Sequence, residues 1–293
     1  MNDGTDCPGK DKEINRGDGS ERMSGYVTKE DVEAGRYKPL SEGVSLQYAN
    51  REPRFYASVA YNGDVWNLLN SNKNAGEPQN IQVFYYRGDG NGYTNSMFWL
   101  RTGIGVKKFV HPDDMGKGDN NEELIKKKVE PAIRYAEVLL NYVEAINELE
   151  NPYTMEIING DQVTVERNTT EIVKYFNLVR HRAGLPGITE ADARDRDEVR
   201  DLIKRERRVE FACEGHRYHD LRRWGNDAMT AYNRPITGMN VKARSNDRKS
   251  FYTVTQLNDK LTRRTFSYKN YFYPIPKSVL DKNKNLVQNP EWN

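Results

Sequence analysis

The chain has 293 residues, 45 of them Lys or Arg and 43 Asp or Glu, and 36% are hydrophobic. That length buries a core without disulfide or metal staples. The net charge of +2, with both signs mixed along the chain, gives no broad field for a nucleic-acid backbone and excludes nucleic acid as the expected partner.

Residues 1–25 are dominated by Asp, Gly, Lys, Asn, Arg and Ser; such a composition does not repay the entropy of ordering and predicts a flexible segment ahead of a domain over 26–293. Phe55–Tyr61, FYASVAY, reads as a strand, and Ile81–Tyr86, IQVFYY, as a second one ending at the turn-rich RGDGNG. The intervening LLNSNKNAGEPQN reads as loop, and Lys126–Lys128 as a solvated approach to a helix. PAIRYAEVLLNYVEAINELE opens with Pro131 at a first helical position and puts Ile133, Ala136, Leu140, Val143 and Ile146 on one stripe, with Arg134 able to reach Glu137. MEIINGDQVTVE is either a hairpin about Asn159–Asp161 or an irregular loop. A second helix, TTEIVKYFNLVRHRAG, has Thr170 as its cap, buries Ile172, Val173, Phe176 and Val179, and stops at Gly184 and Pro186. A third runs from about Glu198 to Cys213 and breaks at Gly215. Beyond Gly225 come short β-like pieces, FYTVTQ and RTFSY, and one helical turn in KSVLDKN after Pro274 and Pro276.

The third helix is the chemical puzzle. Val199, Leu202, Ile203, Glu206, Val209, Glu210 and Cys213 fall on one broad face, which sets two carboxylates in an apolar stripe. A buried carboxylate without a cation costs several kcal/mol, so a structural ion-pair network of Glu206, Arg208, Glu210 and Arg217 is expected, with Arg205, Arg207, Arg222 and Arg223 also nearby in sequence. The rival reading makes Glu206 and Glu210 the acid and base of a glycoside hydrolase, although both would ride one wall of a cleft. Cys213, His216, His219 and Asp220 carry zinc-ligand chemistry but lack a second ligand pair at zinc spacing. The turn Gly88–Gly92 lacks the GK[ST] of a phosphate loop and would put Leu100 at the calcium loop's glutamate position. No cofactor, metal or catalytic residue is therefore expected. No apolar run reaches the ~18 residues of a membrane span, and MNDGTDCPGK is not an export signal.

Around that turn lie many rings. Trp66, Tyr85, Tyr86, Tyr93 and Trp99 are the candidate ligand contacts, because aromatic faces beside Asn, Asp and Arg suit the stacking and hydrogen bonding of sugars. Phe84 and Phe98 belong to the same run, and alternate rings of VFYY must pack inward.

Five words then give a resemblance: REPRFYASVAYNG, IRYAEVLLNYVEAINE, FNLVRHRAGLP, RERRVEFACEGHRYHDLRRWG and YFYPIPKSVLDKNKNLVQNPEWN. In this order they resemble the SusD/RagB family of starch-utilisation proteins, with Glu52 where the family's DPRF word has Asp. The resemblance implies a fold that is mainly α with minor β. It implies a non-catalytic protein at the extracellular face of the outer membrane, one that binds glycan and delivers it to a SusC-like TonB-dependent transporter. The alternatives are the hydrolase and a module that binds only protein. Family members are longer, with a lipid anchor and TPR-like helices toward the N-terminus, so this chain is expected to correspond to the C-terminal half, membrane-associated only through such an anchor. Cys7 sits in GTDC, which is not a lipobox.

Overall fold

The computed structural model describes residues 25–69, 78–89, 91–93, 99–114, 125–225, 227–257 and 264–292. The expected flexible segment, apart from Gly25, and with it Cys7, lies outside the described residues, as do Phe98 and residues 70–77 of the expected loop.

In chain order the helices are α1 (Lys29–Glu33), α2 (Pro53–Ser58), α3 (Tyr135–Glu148), α4 (Thr169–Arg182), α5 (Arg196–Glu210), α6 (His216–Arg223), α7 (Asp227–Tyr232), α8 (Arg248–Phe251) and α9 (Lys277–Lys282). The strands are β1 (Val59–Ala60), β2 (Asp64–Leu69), β3 (Pro78–Val83), β4 (Gly105–Val106), β5 (Tyr153–Glu156), β6 (Gln162–Val165), β7 (Thr237–Met239) and β8 (Val254–Gln256). They pair antiparallel as β1–β4, β2–β3, β5–β6 and β7–β8, so the fold is mainly α with minor β.

The principal core forms where α3 packs on α4 and α5. Leu140, Val143, Ile172, Phe176, Val179, Val199 and Ile203 meet there almost fully buried, each contributing about 1.5–3 kcal/mol. The amphipathic stripes read from the sequence thus face one another. The ends differ from expectation for local reasons. α3 starts at Tyr135 because Arg134 is held extended as its N-cap, which leaves Ile133 exposed. Asn168, not Thr170, caps α4, its side-chain oxygen accepting from the Glu171 amide at 3.0 Å. Asp195 caps α5, accepting from Asp197 and Glu198 at 2.8 and 3.0 Å. α5 ends at Glu210, before Cys213 takes a φ of 66°. MEIINGDQVTVE is the β5–β6 hairpin, with Tyr153 opposite Val165.

The expected strand FYASVAY is instead mostly helix. Pro53 starts α2, only Val59 and Ala60 are strand, and the turn stacks Phe55 on Tyr48 and Tyr61 at 6.1 and 5.7 Å between centroids. Tertiary ring packing overrides β propensity there. The two ends of the expected loop are strand, since Leu68 and Leu69 pair with Gln79 and Pro78. Phe84–Tyr86 lie beyond β3, and of FYTVTQ only Val254–Gln256 is strand. RTFSY forms no strand, and Phe266 packs instead with Leu221 and Ala228. Lys126 and Lys127 are exposed in an irregular stretch, while Lys128 pairs with Asp114 at 2.7 Å.

Candidate functional site

A second hydrophobic region, around Ala60, Tyr85, Tyr86, Val241, Ala243 and Phe251, supports the rings. Two glycines let its segments approach. At Gly92 a Cβ would lie 1.7 Å from the Tyr86 carbonyl oxygen, so only glycine closes the turn that brings Tyr93 over Trp99. At Gly238 in β7 a Cβ would lie 2.7 Å from Thr102 Cα, and the bare backbone lets Met239 donate to the Thr102 carbonyl at 2.9 Å.

Two cavities of about 450 Å³ each result. The first is walled by β1, β2, β3 and β4, with Trp66, Tyr85 and Trp99 as its rings and Asn91 as its amide. The second is walled by the β7–β8 ladder and carries Tyr93, Trp99, Arg101 and Lys242. Trp99 lines both. Its ring meets Tyr93 edge-on at 4.8 Å, and the Arg101 guanidinium lies 5.4 Å from it. Tyr85 is anchored by its backbone amide, which donates to Asn62 Oδ1 at 2.7 Å, while Asn62 Nδ2 donates to the Tyr252 hydroxyl at 2.8 Å. Burial, with Asp64 nearby, pushes the Tyr85 hydroxyl up to about 12. Asp64, two residues before Trp66 in β2, is raised by burial even though Lys107 approaches at 2.5 Å. Trp66 Nε1 is buried with no acceptor among the described residues.

Of the five sequence candidates, then, Trp66, Tyr85 and Trp99 share one cavity and Tyr93 and Trp99 the other. Tyr86 belongs to neither: it is 2% exposed and packs edge-on against Phe251 at 4.8 Å. This corrects its assignment as a ligand contact; as the inward ring of VFYY it fills core.

The carboxylates of α5 lie elsewhere. Glu206 is 3% and Glu210 4% exposed. Arg54 Nη1 donates to both, at 2.6 Å to Glu206 Oε1 and 3.0 Å to Glu210 Oε2, which puts a guanidinium between the two groups that a hydrolase would keep open to sugar and water. Arg180 reaches Glu206 at 3.2 Å, and Arg134 and Arg182 reach Glu210 at 2.9 and 2.6 Å. Burial would raise the Glu210 carboxyl, but the hydrogen bonds from Arg134 and Arg54 outweigh it and hold the group below its ordinary value. Arg134 thus serves α5 and Glu214 rather than Glu137. Arg208 and Arg217 are half-buried, the latter with its guanidinium 6.0 Å from the Trp224 ring. Sequence reasoning overlooked Arg54, Arg134, Arg180 and Arg182 because proximity in sequence was taken for proximity in space. The available signal was that each lies inside one of the words EPRF, IRYAEV or LVRHRAG, which belong to the stretches that carry the family resemblance.

The zinc-like residues do other work. Asp220 accepts from Arg207 at 2.9 and 3.0 Å, the His216 ring lies 4.5 Å from Phe211, and Cys213 is exposed. Among the described residues no cluster of His, Cys, Asp and Glu could hold a metal ion.

The scaffold is mainly helical, with ring-lined cavities set apart from the guanidinium-paired carboxylates of α5. The SusD family profile matches residues 1–292, and the chain belongs to the SusD family. The SusD-like proteins P38 and P2 of Formosa agariphila are each 32% identical to it, over 112 and 96 residues, which is 36% and 31% of this chain and 18% and 16% of theirs. Among solved structures, BT4246 matches with a TM-score of 0.68 at 26% identity, over 85% of this chain and 39% of that one. A SusD-like protein from Bacteroides fragilis, BF3747, matches with a TM-score of 0.56 at 26% identity, over 84% and 40%. The chain therefore spans well under two thirds of these relatives.

Proposed function

We propose that this chain, with residues 26–293 as one folded domain, belongs to a non-catalytic protein that captures oligosaccharide at the outer face of the outer membrane and passes it to a SusC-like TonB-dependent transporter. The observation that carries the reading is the pair of cavities meeting at Trp99, where a sugar ring can stack while amide and hydroxyl groups satisfy its polar edge. Membership of the SusD family supports the nutrient-uptake role. Among the described residues no helix is long and apolar enough to cross a membrane; the lipid anchor proposed for the whole protein rests on the family resemblance alone.

Hydrolysis is disfavoured by Glu206 and Glu210, which line neither cavity and share Arg54. Affinity electrophoresis across a polysaccharide panel, run beside a reducing-end assay, tests the reading. We expect retardation in at least one gel with no reducing ends released, and Trp99→Ala should weaken that retention about tenfold. Release of reducing ends that Glu210→Gln abolishes in a folded protein would overturn it.

A further inference from the structure

The two cavities differ in polarity. The one holding Tyr93 is bordered by the polar side chains of Asn240, Lys242, Thr255 and Gln256. The one holding Trp66 has no charged side chain among its described lining residues, and Val83, Leu100 and Val106 give it an aliphatic wall. Val106 is 52% exposed, and Val83 and Leu100 are half-buried, so this wall is open to a ligand. The polar groups of the same cavity are mostly withdrawn from it. Tyr85 is 4% exposed. Its hydroxyl sits in the floor, 3.6 Å from where a Cβ on Gly105 would stand, with Leu100 Cδ1 at 3.1 Å and Ala60 Cβ at 3.3 Å from the same point. Trp66 Nε1 is buried, so the part of that half-buried indole open to a ligand is ring carbon. Among the described lining side chains, the exposed polar group is the Asn91 amide.

We propose that the Trp66 cavity selects an uncharged saccharide residue that carries a methyl group, either as C6 of a 6-deoxyhexose or within an acetyl substituent. The methyl sits against Val83, Leu100 and Val106, while Asn91 meets a hydroxyl of the same residue. The inference rests on the saccharide-capture reading above. A sugar hydroxyl pressed onto an aliphatic wall gives up its water without gaining a partner, which is unfavourable. A methyl in the same place removes apolar surface from water, which is favourable. Both effects favour the methyl-bearing sugar over its hydroxylated counterpart.

Calorimetry with two matched pairs tests it: methyl α-L-fucoside against methyl α-L-galactoside, and chitotriose against cellotriose. The first member of at least one pair should bind about fivefold more tightly, and the pair that responds tells the deoxy methyl from the acetyl methyl. Val106→Thr and Val83→Thr, which put a hydroxyl in place of a methyl on the wall, should each reduce the preference to below about twofold. Val163→Thr makes the same exchange on the exposed β5–β6 hairpin and should leave the preference unchanged. Urea midpoints read beside the titrations confirm that each variant is folded. A preference that survives both wall substitutions in folded protein would place the methyl elsewhere and overturn the inference. Equal binding within both pairs, or tighter binding of the hydroxylated members, would overturn it and leave saccharide capture standing. Binding of neither pair by a protein that other glycans retard would do the same, whereas binding of no saccharide at all would overturn both.

Discussion

In the α3–α6 helices each buried carboxylate has several cations: Glu210 is contacted by Arg54, Arg134 and Arg182, and Asp220 by Arg207 and Arg223. In the ring-lined region the buried Asp64 meets Lys107, and the Tyr85 amide donates to Asn62, which donates in turn to the Tyr252 hydroxyl, while Trp66 Nε1 has no acceptor among the described residues. The carboxyls respond in opposite directions, Glu210 lowered and Asp64 raised. Burial acts on both, so the number and geometry of the cations decide the sign. The helices hold their charge internally to fix one docking geometry, whereas the ring region sets Arg101 and Lys242 along a cavity wall.

The most direct way to break this contrast is Glu210→Ala. With the carboxylate gone, three guanidiniums lose a shared partner, and the loss should be about 3–5 kcal/mol, read as a lowered urea midpoint; a cost under about 1 kcal/mol would show that the helices do not depend on the lattice. Asn62→Ala should cost less, about 1–3 kcal/mol, because it strands the buried Tyr85 amide. In the same variant, glycan retention should fall further than in a neutral substitution on α5, since Tyr85 lines the first cavity.

Acid sharpens the comparison with a smaller effect. Glu210 and Glu214 have folded values below the ordinary 4.5, so their contribution is fully present above that value and is lost as pH falls through the depressed folded values. Asp64 has the opposite sign: its raised folded value means that ionisation costs stability, and acid relieves that cost. Urea midpoints taken downward from about pH 7 should therefore fall below about 4.5, and Glu210→Gln should flatten the drop. A profile unchanged by that substitution would assign the acid sensitivity to other groups.

Much of the helical half was legible in the chain itself. The apolar spacing of Ala136, Leu140, Val143 and Ile146 and of Ile172, Phe176 and Val179 predicts the faces that are buried, because helical periodicity is a local property written within a few turns. The hairpin about Gly160 follows from turn chemistry alone. FYASVAY misled because seven residues of rings and β-branched side chains fit a strand or a short helix equally, and the choice was made by Tyr48 and Tyr61. Tyr86 misled for a related reason: in a run of adjacent rings, composition does not say which ring faces inward.

The sequence by itself determined the helical stripes, the family words and the need for cations beside Glu206 and Glu210. Which cations, and which rings share a cavity, only the tertiary structure decided. Arg54 lies 152 residues from Glu206 along the chain and 2.6 Å from it in space. Trp66 and Trp99, 33 positions apart in the sequence, line one cavity. Periodicity acts over a few turns and is written in neighbouring residues, whereas charge pairing and ring convergence depend on distances that exist only after distant segments have packed.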